Sequence, residues 1–113
     1  MEAYAIEKNL RVASSKARLV ANLIKGKSIA EARAMLKALP NKSARLIEKA
    51  LNSAVANGVN NFKMSEDSMY VSAVFVDKET PLKRVLPRGF GRADIIWRHM
   101  SQIKVVVKEK EEA

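Results

Sequence analysis

The chain has 113 residues and a formal net charge of +9 at pH 7, with 21 Lys and Arg against 12 Asp and Glu, one histidine and no cysteine. One domain, residues 1–113, is the expectation at that length, and the lack of cysteine excludes disulfides, thiol chemistry and cysteine-based zinc sites. One histidine without a carboxylate cluster builds no metal site, the N-terminus has no signal-peptide pattern and no apolar run would span a bilayer, so the reading is cytoplasmic, without cofactor or membrane partner.

Residues 3–12 alternate, with Tyr4, Ile6, Leu10 and Val12 on the side expected to be buried and Ala3, Glu7, Asn9 and Arg11 on the other, which predicts an edge strand. Ser14 and Ser15 offer an N-cap to a first helix whose apolar stripe is Leu19, Val20, Leu23 and Ile24, and Gly26 supplies its stop. Lys16, Arg18, Asn22 and Lys25 fall largely off that stripe, leaving one face for a core and one for phosphates. Ser28-Ile-Ala-Glu31 fits a capping box opening a second helix, with Ile29, Ala32, Leu36 and Leu39 on one face and Pro40 as its end. A third helix runs from residues 41–43 to about 60 with the stripe Ile47, Ala50, Leu51, Ala54, Val55, Gly58 and Val59. The small residues Ala50, Ala54 and Gly58, four apart, predict close packing against a sheet. Asn52, Asn57, Asn60 and Asn61 are polar elsewhere on it, as solvent surface or as donors to RNA. Residues 62–68 read as a loop, 69–76 as a central strand apolar on both faces, and 101–108 as a last strand. Residues 110–113 have nothing apolar to bury and are expected to fray. The sum is an α+β fold: a three-stranded antiparallel sheet packed with three helices.

Between the last two strands lies a connection of about twenty residues, where ordinary hairpin loops take about two to five. It predicts a long β-hairpin arm, residues 81–100, extending from a body of residues 1–80 and 101–113. Val85, Leu86, Ile95 and Ile96 supply branched side chains on both sides, and Pro87, Arg88, Gly89, Phe90, Gly91 and Arg92 form the tip. Such a ribbon reaches roughly 30 Å beyond the sheet at about 3.3 Å per residue. Lys83, Arg84, Arg88, Arg92 and Arg98 stand in it against one acid, Asp94. Basic excess is confined to two segments, +6 over residues 8–27 and +5 over residues 81–104, while the rest nets −2. That segregation is the footprint of a polyanion-binding surface. Because an isolated two-stranded ribbon is marginal in water, the arm is expected to gain order from the anionic partner it enters. Phe90, between two glycines, is expected to project, whereas Trp97 fits either stacking on RNA bases or packing on the arm's own stem.

No catalytic constellation accompanies these features. Glu66 and Asp67 are adjacent acids in a loop, Gly89-Phe-Gly91 lies in a turn and not after a strand, and the serines lack a nucleophile-elbow pattern. The protein is read as not an enzyme.

Several stretches resemble the bacterial form of the large-subunit ribosomal protein L twenty-two family. They are Arg11-Val12 with Lys16-Ala-Arg-Leu-Val20, Ile24-Lys-Gly-Lys27, Ala30-Glu-Ala-Arg33, Ser53-Ala-Val-Ala-Asn57 with Asn60-Asn61, and above all Leu82-Lys-Arg-Val-Leu-Pro-Arg88 followed by Gly91-Arg-Ala-Asp94. The resemblance implies a structural constituent of the large ribosomal subunit that binds rRNA of the 23S type. Its arm would line the nascent-peptide exit tunnel beside ribosomal protein L four, near nascent peptide and the site of macrolides. It also implies rRNA contacts for Lys16, Arg18, Lys25 and Lys27 on the body and for Lys83, Arg84, Arg88 and Arg92 on the arm. Arg11 and Arg98 join that set by their place in the two basic segments. Ala13-Ser-Ser15, Gly89-Phe90 and Trp97-Arg-His-Met-Ser-Gln-Ile103 depart from the family pattern. Composition alone leaves a second reading open, an architectural DNA-binding protein that clasps a duplex with a basic β-ribbon. Such proteins usually dimerise, whereas no homo-oligomer is expected here.

Overall fold

The computed structural model describes residues 2–87, 89–91 and 93–109, with the backbone alone at 82, 84–87, 90 and 93–97. The elements in chain order are β1 (Glu2–Leu10), α1 (Ser14–Ile24), α2 (Ile29–Ala38), α3 (Lys42–Phe62), β2 (Met69–Pro87) and β3 (Ala93–Glu109). Short 3-10 turns occupy Glu66–Ser68 and Gly89–Gly91. The three strands form one antiparallel sheet in the order β1-β3-β2, so the α+β architecture is as expected.

The central strand is β3, not the stretch 69–76 expected there; β2 is an edge, as β1 is. Edge strands expose unpaired backbone groups. On β2 the turn after α1 covers them: Gly26 N donates to Val71 O at 2.8 Å and Val71 N to Lys27 O at 2.9 Å, with a bridge from Ser28 to Tyr70 beyond. Gly26 adopts φ +81°, which this docking needs and which a side chain disfavours. Screened in this way, β2 can be apolar on its inner side without being central.

The alternation of β1 is inverted relative to the expectation. Ala3 and Ala5 are buried, while Tyr4 and Ile6 are 53% and 42% exposed on the outer face of the sheet. A register shift between Glu7 and Leu10, with Asn9 at φ +59°, changes the parity, so Val12 still turns inward. Small residues face inward because α3 lies close against this strand. Ala50, Ala54 and Gly58 are buried as expected, and a Cβ at Gly58 would stand 2.8 Å from Met69 Cε and 3.4 Å from Ala3 Cβ. Asn57 Nδ2 donates to Tyr4 O at 2.9 Å, satisfying a carbonyl of the β1 edge.

On α1 the buried side is Ser14, Ala17, Val20, Ala21 and Ile24. Leu19 and Leu23, expected in the stripe, are 71% and 46% exposed. Two apolar stripes overlap on this helix, and the one with alanines allows the closer approach. The N-cap is Ala13 and not a serine: it makes no side-chain capping bond, and Ser14 is already helical and buried. Half of the expected capping box forms at α2, Glu31 N donating to Ser28 Oγ at 3.3 Å without a return bond from the Glu31 side chain among the described residues, and Leu39 closes the helix before Pro40 in the extended conformation a following proline favours. The core gathers Ile24, Leu36, Ile47, Leu51, Met69, Val71, Ile103, Val105 and Val107 between the helices and one face of the sheet.

Among the described side chains, Val76 is the last buried one on β2 and Met100 the last on β3 on the way out, yet the strands pair on from Asp77 opposite Gln102 to Pro87 opposite Ala93, with one shift between Glu79 and Leu82. The arm is therefore a continuation of β2 and β3. Val85 faces Ile95 and Lys83 faces Trp97 in register. At the tip, Gly91 adopts φ +73°. Arg88, Arg92 and residues 110–113 lie outside the described residues, as do the side chains of Arg84, Pro87, Phe90 and Trp97 for which roles were expected.

Candidate nucleic-acid interface

Among the sequence-derived candidates, Arg11, Lys16, Arg18, Lys25, Lys27, Lys83 and Arg98 are all exposed. The fold divides them between three places. Arg18, Lys25 and Lys27 flank the β2 edge. Arg18 is anchored there, its Nη2 and Nε donating to Val76 O at 2.8 and 3.2 Å, and Lys25 and Lys27 bracket the glycine that docks on Val71. This basic strip leads along β2 towards Lys78 and Lys83, so body and arm charges follow one strand. Lys83 and Arg98 occupy the two strands of the arm at adjacent register positions, since Leu82 pairs with Arg98 and Lys83 with Trp97.

Arg11 and Lys16 lie elsewhere. They line a groove of about 550 Å³ between the start of α1 and the start of α3, together with Asn41, Lys42 and Ser43. Lys42 Nζ donates to Arg11 O at 3.0 Å, which holds the ammonium at the groove. Sequence reading passed over Lys42 because it lies outside the two basic segments; only the packing of α3 beside α1 brings it to Arg11.

The acids flagged as adjacent have a structural task in one case. Glu66 pairs with Arg33, whose Nε also donates to Asn52 Oδ1 at 3.0 Å, joining α2, α3 and the turn before β2. Among the described residues no three potential metal ligands cluster, and no helix is long and apolar enough to cross a membrane.

A small basic α+β body, charged along one sheet edge and prolonged into a two-stranded ribbon, defines a class of structural protein built around its arm. The chain belongs to the ribosomal protein L22p/L17e family, whose profile matches residues 5–108. It is similar to the large ribosomal subunit protein uL22 of Pseudothermotoga lettingae, 52% identical over 98% of this chain and 80% of that protein. Its counterpart from Desulforamulus reducens is 49% identical over 99% of both chains, and that of Thermus thermophilus 50% over 97% of both. The protein is thus a structural, non-enzymatic constituent of the large ribosomal subunit, with its place in the ribosome in the cytoplasm. The resemblance drawn from the motifs around residues 11–33, 53–61 and 82–94 is borne out.

Proposed function

We propose that the protein binds large-subunit rRNA through two basic surfaces of its body and threads its arm, residues 81–100, into the subunit to line the nascent-peptide exit tunnel. The observation that carries the reading is the pairing of β2 and β3 from Asp77 and Gln102 out to Pro87 and Ala93, which runs on past Val76 and Met100, the last buried side chains among the described residues of the two strands, in a stretch that holds most of one basic segment. A solvated hairpin of that length has no reason to be retained, whereas one embedded in RNA gains a charge-assisted contact from each guanidinium. Arg11, Lys16, Arg18, Lys25 and Lys27 serve the body, and Lys83, Arg84, Arg88, Arg92 and Arg98 the arm. Ribosomal protein L four, the nascent peptide and macrolides are the neighbours this placement assigns to the tip. Membership of a ribosomal family removes the ground for the architectural DNA-binding alternative.

The test is hydroxyl-radical footprinting of the rRNA in large subunits reconstituted with the native protein or with Arg84→Ala and Arg88→Ala combined. Protection around the arm is expected to fall while body protections persist. Unchanged protection in the double variant overturns the assignment of the arm to rRNA.

A further inference from the structure

We infer that the groove between the N-termini of α1 and α3 seats one phosphodiester of the RNA backbone, held by Arg11, Lys16, Lys42 and Ser43; this rests on the RNA-binding reading above and gives it a specific site.

Two helices of 11 and 21 residues begin on the rim of this groove. The first N–H groups of a helix have no partner inside it and carry the positive end of its dipole. Side-chain caps commonly satisfy them, yet Ala13 and Asn41, the two N-cap residues, make no capping bond, and neither first turn contains an acid. The termini alone would mark only a favourable field. A second observation concerns Ser43. It is 5% exposed and lines the groove, and its hydroxyl has no hydrogen-bond partner among the described residues. No fully enclosed side-chain oxygen or nitrogen lacks a partner among those residues, so the Ser43 hydroxyl meets solvent at the groove. A hydroxyl of an otherwise buried residue that opens only onto a groove is a donor available to an acceptor seated there.

Charge adds to this. Arg11 and Lys16 come from the chain leading into α1 and from its first turn, Lys42 from α3, and the bond from Lys42 Nζ to Arg11 O holds the third cation at the backbone of the first. Three basic residues and the Ser43 hydroxyl thus line one groove beside two uncapped helix starts, with Val12, Ala13, Leu19, Val20 and Pro40 as its apolar wall and no carboxylate among the lining residues. An anion with several acceptor oxygens fits this set, and a phosphate at a helix N-terminus is a common arrangement. RNA is the favoured source because Lys16 and Leu19, which line the groove, also stand on the exposed face of α1, where a chain of phosphates could run on.

The intact protein and a large-subunit rRNA fragment that binds it supply the test, with affinity measured across a salt series and Lys37→Gln as an exposed control away from the groove. Asn41→Asp is the decisive variant. A carboxylate at an N-cap favours the helix, so the melting temperature should hold or rise, while the same charge repels a phosphate. Affinity is expected to fall about five- to tenfold, and Lys42→Gln to lower the slope of log K against log salt by about 0.7–0.9. Absence of rRNA binding by the native protein would overturn both readings. Native binding with Asn41→Asp and Lys42→Gln indistinguishable from Lys37→Gln would overturn the groove alone. Inorganic phosphate supplies the last arm: if it shifts the Lys42 and Ser43 amides while RNA affinity ignores both variants, the site takes free phosphate and the phosphodiester assignment is wrong.

Discussion

Removing one hydroxyl should loosen the junction of body and arm measurably. Ser101 is fully buried on β3, opposite Leu10, and its Oγ donates to Val12 O at 2.7 Å. That bond fastens the β1–α1 turn to the central strand just where β3 leaves the core. Ser101→Ala keeps the side chain's place in the sheet but leaves the Val12 carbonyl, in a residue 8% exposed, without its donor. An orphaned buried acceptor costs about 1–3 kcal/mol. Unfolding entropy of about 2.1 cal/mol/K per residue gives roughly 0.24 kcal/mol/K for this chain, so melting should fall by roughly 4–12 °C. Calorimetry of the isolated protein reads the shift, and urea titration should show a lower midpoint with an unchanged m-value, the mark of lost stability without a changed unfolded state. Exposed Ser15→Ala is the reference and should stay within about 0.5 kcal/mol. A shift below about 2 °C for Ser101→Ala would show that water or a relaxed backbone replaces the bond.

Two further outcomes follow from the same geometry. Arg18→Gln removes both bonds to Val76 O and should cost about 1–2 kcal/mol in urea-measured stability, discounted for its exposure, besides any loss of RNA affinity; full stability with weakened RNA binding would mean that the guanidinium serves RNA alone. Replacing residues 82–98 by Asn-Gly should leave a cooperative melt within a few degrees of native, because the buried side chains described on the two strands end at Val76 and Met100, outside the replaced segment. A broad, non-cooperative transition would show that body and arm fold as one unit.

What the sequence by itself determined was local or distributed in kind. The N-cap at Ser28, the stops at Gly26 and Pro40, the small-residue row of α3 and an arm too long for a turn each follow from a few neighbouring residues. Segregated charge is likewise a linear property, as are the motifs that carry family membership. Tertiary structure decided whatever depended on a choice between nearly equal faces. Two stripes overlap on α1, and the alanine stripe won because it brings the helix closer, turning Leu19 and Leu23 outward. The parity of β1 rests on one shift beside Asn9, which no alternation pattern announces. The 69–76 stretch read as central because both of its faces are apolar, but a docked turn can shield an edge strand as well as a neighbouring strand does. The groove at Lys42 is the plainest case. Lys42 lies 31 residues from Arg11 in sequence, and only the packing of α3 against α1 brings it to that residue's carbonyl.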